Sequence, residues 1–122
     1  MAPAAVGAEK DIAMAQEGLA EFNEQNFDSQ VLERAGLTVV DFWSQTCVPC
    51  RQLAKVLKQL APEVPDSVQI GTVKAEENIA LFDRYGIRST PTLLFFKDGD
   101  LVETRTGVDR RQVLKKVVEQ HA

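Results

Sequence analysis

The chain has 122 residues and a mass of 13.5 kDa, enough for one domain with a single hydrophobic core and too little for two. At 44% hydrophobic and 26% charged, its composition is that of an ordinary folded protein rather than a disordered one. A net charge of −4 gives no basic footprint for nucleic acid or an anionic membrane, and no apolar run approaches the roughly 18 residues a membrane span requires.

The opening stretch MAPAAVGAEKDIAMAQEG carries charges at Glu9, Lys10 and Asp11, where a secretory signal would hold about 7 to 15 apolar residues after a basic start. It is expected to remain on the chain, with Ile12, Ala15 and Leu19 on one face of a helix that Gly18 would stop. An extended piece over 19–22 comes next. Asn23 is placed to cap a helix running to about Arg34 and burying Phe27, Val31 and Leu32, with Gly36 as a left-handed exit.

LTVVDFW (37–43) is β-branched and aromatic and predicts a strand covered on both faces, with Asp41 its one charged residue. From about Pro49 to Leu60, the positions Leu53, Ala54, Val56, Leu57 and Leu60 form the stripe of an amphipathic helix, which Pro62 and Pro65 end. SVQIGTVKA (67–75) predicts a strand, and a short helix near 79–85 is closed by Gly86. TLLFFK (92–97) and DLVETRTG (100–107) flank Asp98-Gly99, a hairpin signal. A last helix is expected to open at Asp109, with Gln112 completing a capping box, and to bury Val113, Leu114, Val117 and Val118. The order βαβαβαββα implies an α/β fold: a central, partly parallel sheet with helices on both faces.

SQTCVPCR (44–51) holds the chain's two cysteines. Two are too few for a disulfide scaffold, and nothing points to export, so a catalytic or metal-binding CxxC is the first expectation. A structural zinc needs about four ligands, and the rest of the chain offers no further Cys and a single His, His121, beside the C-terminus. A pair of buried small side chains is the bland alternative. Against both, Cys47 comes after the loop leaving a buried strand, and Pro49 suits the first turn of the next helix, where its missing N–H is not needed. Free N–H groups and the positive end of the helix favour a thiolate at Cys47, the attacking species in disulfide exchange. Cys50, about one turn inside the helix, is close enough to attack the mixed disulfide that Cys47 would form.

With these features in this order, residues 19–122 resemble the thioredoxin family. The resemblance is carried by VVDFW (39–43), CVPC (47–50), YGIRSTPTLLFFKDG (85–99) and Gly107. It implies the thioredoxin fold, a five-stranded mixed sheet flanked by four helices, preceded here by an N-terminal extension, residues 1–18, with helical character. It also implies reversible dithiol–disulfide exchange that reduces protein disulfides, with Cys47 attacking and Cys50 releasing the product. Asp41 matches the family's buried aspartate, proposed there as proton acceptor for the resolving thiol; burial in an apolar strand should raise its pKa. Pro91 matches the family's cis-proline, and the backbone of Thr90 before it would pair with an extended substrate segment. Trp43 matches a tryptophan packed beside the site. The family implies a monomer in the cytoplasm, acting on disulfide-containing proteins and regenerated by a thioredoxin reductase-like electron donor, with no cofactor or metal.

The sequence departs from the family's WCGPC stretch at two places: Thr46 stands for the tryptophan and Val48 for the glycine, while Arg51 keeps the basic residue. Loss of the aromatic contact beside the nucleophile implies altered partner recognition with retained chemistry. Val48 stiffens the turn and implies a shifted redox potential. Lys55 replaces a helix-kinking proline and predicts a straighter helix. The lysine that often sits near the buried aspartate aligns with Thr72, leaving Lys74 as a same-face substitute. Two other functions remain open on these residues, a protein-binding module of the same fold and an oxidase- or isomerase-like member.

Overall fold

Residues 18–122 are described by a computed structural model, so the helix expected around Ile12 and Ala15 lies outside the described residues. Among them, five strands form one sheet: β1 (Ala20–Glu21), β2 (Leu37–Trp43), β3 (Gln69–Lys74), β4 (Thr92–Lys97) and β5 (Asp100–Thr106). Their spatial order is β1-β3-β2-β4-β5. The first three run parallel, and β4 and β5 are antiparallel additions. Helices α1 (Val48–Leu60), α2 (Ile79–Arg84) and α3 (Arg111–His121) complete the layers.

All seven residues of β2 are buried, because both faces of this central strand are covered. Alternation splits them between two cores. Leu37 and Val39 join Leu53, Leu57, Leu60, Leu93, Phe95, Leu114 and Val118 under α1 and α3. Val40 and Phe42 join Phe22, Phe27, Val31, Val73, Leu81, Leu94 and Phe96 on the opposite face. The aromatic stripe of that second core meets edge to face, for example Phe27 with Phe96 at 5.8 Å and Phe42 with Phe82 at 5.1 Å.

Two expected helix boundaries differ. In the segment expected to be helical from Asn23 to Arg34, Asn23 does cap, its Oδ1 accepting from the N–H groups of Gln25 and Asn26. The chain then forms a tight turn and a wide π-helical segment, Asp28–Leu32, in which Glu33 N–H reaches the Asp28 carbonyl at 2.9 Å. Phe27 and Val31 are buried in the core, and Leu32 is half-buried. The last helix begins at Arg111 with no side-chain cap. Asp109 is engaged elsewhere, accepting from Arg105 Nε at 2.9 Å, and Val113 is half-buried.

The β4–β5 hairpin turns at Asp98 (φ 52°) and Gly99 (φ 86°), both left-handed as a two-residue type I′ turn requires. Gly99 is needed a second time, since a Cβ there would collide with the Leu32 carbonyl. α1 runs uninterrupted through Lys55.

Candidate active site

The chain leaves β2 at Trp43, crosses Ser44–Thr46, and enters α1, whose cap is Cys47 itself. Pro49 occupies the first turn, where a missing N–H leaves no hydrogen bond unmade. Cys47 and Cys50 are joined as a disulfide, their Cα atoms 5.3 Å apart. The Cys47 Sγ accepts from the Cys50 N–H at 3.2 Å, so the first turn of the helix points a backbone donor at this sulfur. The two sulfurs differ in access. Cys47 is half-buried, while Cys50 is fully buried against Trp43.

Asp41 lies two residues before Trp43 and shares the parity of Leu37 and Val39, so it faces the side of the sheet that α1 covers. It is fully buried, and among the described residues neither carboxylate oxygen has a hydrogen-bond partner. Burial pushes its carboxyl from 3.8 up to about 8, because an ionised carboxylate would lose its hydration there. Lys74 does not compensate it. β3 pairs Asp41 with Thr72 and Trp43 with Lys74, and the Lys74 ammonium sits 5.8 Å from the Trp43 ring centroid and 3.4 Å from Glu77.

The Thr90–Pro91 peptide is cis, matching the form that the resemblance implies. In the antiparallel register Phe42 faces Thr92, so Thr90 and Pro91 come next to the Trp43–Ser44 end of β2. Thr92 Oγ1 donates to the Ser89 carbonyl at 2.7 Å and Gly107 N–H donates to the Pro91 carbonyl at 2.9 Å, fixing both sides of the proline. Thr46 and Val48 are exposed, Val48 by 54%, and Thr90 is half-buried. Among the described residues, no three His, Cys, Asp or Glu side chains cluster as metal ligands.

Sequence reasoning passed over Glu76. Its carboxylate accepts from the Ser44 hydroxyl and the Gln45 N–H, tying the end of β3 to the active-site turn. The signal was present in the pairing of two parallel strands: the residues just after Lys74 must lie beside those just after Trp43.

A dithiol that opens and closes at such a turn, one sulfur accessible and the other sealed, is equipped to pass two electrons to another disulfide, the chemistry of a thiol–disulfide oxidoreductase. The comparisons agree. The family model "Thioredoxin" matches residues 18–120. The chain is 38% identical over 98 residues to thioredoxin 1 of Synechococcus elongatus, covering 80% of this chain and 92% of that one. It is 37% identical over 98 residues to thioredoxin of Bacillus subtilis, with the same coverage. A solved structure of a single-site mutant thioredoxin from Halobacterium salinarum NRC-1 superposes with a TM-score of 0.77 at 28% identity, covering 87% of this chain and 92% of that one. The chain belongs to the thioredoxin family, and it is a thiol–disulfide oxidoreductase that reduces protein disulfides, with Cys47 and Cys50 as its redox pair. A binding module with idle cysteines is not favoured.

Proposed function

We propose that Cys47 is the attacking thiolate and Cys50 the resolving thiol. The observation that carries this order is the contrast between a half-buried Cys47, with the Cys50 N–H aimed at its Sγ, and a fully buried Cys50. In the reduced protein that N–H and the helix start favour the Cys47 thiolate. The thiolate attacks one sulfur of a substrate disulfide, forming the Cys47–substrate bond and expelling the first substrate thiolate. The Cys50 thiol then gives its proton to Asp41 and attacks the Cys47 Sγ. The mixed disulfide breaks, the second substrate thiolate leaves, and two electrons have passed from the dithiol to the substrate.

Asp41 acts in this scheme as proton acceptor because burial raises its carboxyl to about 8, which makes it a far better base than an ordinary carboxylate. The half-buried backbone at Thr90, held by cis Pro91, pairs with an extended substrate segment, and exposed Thr46 and Val48 border the same contact. Trp43 supports the pair from beneath through its packing on Cys50.

Regeneration requires a two-electron donor of the thioredoxin reductase type working in a reducing compartment, the cytoplasm. Thr46, in place of an aromatic anchor, selects which donor and substrates dock. One chain supplies both thiols, the carboxylate and the cis-proline, which supports a monomer as the working unit, with residues 19–122 as the catalytic domain and 1–18 as an extension.

Dithiothreitol-driven reduction of insulin disulfides tests the chemistry. Wild type is expected to exceed Cys47→Ser by orders of magnitude, and equal rates would refute the attacking role. Cys50→Ser is expected to accumulate mixed disulfides on Cys47 in cell extract, which identifies the partners by mass.

A further inference from the structure

Glu76 sits just past the carboxyl end of β3, in the short 3-10 turn Ala75–Glu77. Its carboxylate accepts from the Ser44 hydroxyl at 2.8 Å and from the Gln45 N–H at 3.2 Å to each oxygen. Ser44 in turn organises the next three residues. Its Oγ lies 3.4 Å from both the N–H nitrogen and the hydroxyl oxygen of Thr46, and its carbonyl accepts from the Cys47 N–H at 3.1 Å. A chain of hydrogen bonds therefore runs from Glu76 to the backbone of Cys47.

The turn that carries Glu76 is itself hydrogen-bonded to its surroundings. Asn78, only 2% exposed, donates to the Lys74 carbonyl at 3.0 Å and accepts from the Glu24 N–H at 3.0 Å, so both ends of this turn are fixed. Lys74 lies over the Trp43 ring, so consecutive parts of one turn grip consecutive parts of the active-site segment. Partial burial would raise the Glu76 carboxyl, but the Ser44 hydrogen bond, backbone donors at Glu76 and Gln45, and the Lys74 charge together hold it below its ordinary range. It is thus an ionised acceptor at neutral pH.

We propose that Glu76 is a positioning residue for the redox pair: by holding Ser44 and Gln45 it fixes the segment through Thr46, so that the Cys47 Sγ stays on the Cys50 N–H. Without the clamp the segment gains freedom, the thiolate spends less time on its donor, and both attack and the dithiol–disulfide equilibrium shift. The proposal rests on the attacking role of Cys47.

The test is a double-mutant cycle read on kcat/KM for insulin reduction and on the equilibrium with glutathione. Glu76→Ala and Ser44→Ala are each expected to lower kcat/KM by about three- to tenfold and to move the equilibrium constant by about threefold or more, and the double variant should fall no further than the lower single one. Glu76→Gln keeps an acceptor oxygen and should stay within about twofold of wild type. Additive losses, a Glu76→Gln as poor as Glu76→Ala, or a rate loss that tracks melting temperature with the equilibrium unmoved would each overturn it. If wild type is itself no faster than Cys47→Ser, the attacking role of Cys47 fails and the proposal with it; an active wild type unchanged by Glu76→Ala refutes the positioning role alone.

Discussion

Val48 opens α1 between the two cysteines with 54% of its surface in solvent, so its contribution to the fold is conformational rather than cohesive. A β-branched side chain narrows the backbone choices of a turn that must place Cys47 outside the helix and Cys50 inside it. Val48→Gly is expected to cost about 0.5 to 1 kcal/mol in urea unfolding, from added freedom in the unfolded chain with little packing lost. A loss above about 2 kcal/mol would show that the side chain is packed after all. The placement of Cys47, Pro49 and Cys50 at one helix start was legible in the sequence because it depends on a few consecutive residues. The Glu76 clamp was not, because its partners lie more than 30 residues away and meet only when β2 and β3 pair.

Gly71 shows the same distinction for whole elements. It sits inside β3 between Val40 of β2 and Ala20 of β1, and a Cβ there would strike the Phe22 ring and lie 2.9 Å from the Ala20 carbonyl. The bare backbone admits Phe22 to the second core and lets the two-residue strand β1 close the sheet edge. Gly71→Ala is expected to destabilise by about 1 to 3 kcal/mol through overpacking, seen as a lower urea midpoint with an unchanged m-value; a cost under about 0.5 kcal/mol would mean that Phe22 can move aside freely. Strands and their faces were readable because alternation and β-branching act locally, and the Asp98-Gly99 hairpin fell where its turn chemistry put it. One failure lies where a polar side chain had two possible partners, and the other where the helix took a wider form. Asp109 was expected to cap α3, but Arg105 on β5 claims it, and the π-helical turn Asp28–Leu32 has no local signal in the sequence.

For the molecule as a whole, the cost of carrying Asp41 shows in how stability varies with pH. The unfolded chain ionises this carboxyl near its ordinary value of about 4, whereas the folded chain holds the proton up to about 8. Below the lower value both states are protonated and Asp41 costs no ionisation energy. As pH rises between the two, the unfolded state releases a proton that the folded state keeps, so stability falls continuously; above the higher value both are ionised and the loss is complete. The oxidised protein is the right form to measure, since its disulfide cysteines do not titrate and cannot mask the effect. Wild type is expected to lose roughly 3 kcal/mol more than Asp41→Asn between pH 5.5 and pH 8 in urea unfolding, the contributions common to both proteins cancelling in the difference. Parallel pH profiles would place the folded carboxyl near its ordinary value, and Asp41 would then be too acidic to take a proton from Cys50. A divergence of the expected sign would tie the instability of the oxidised protein at high pH to the carboxyl proposed as proton acceptor for the resolving thiol.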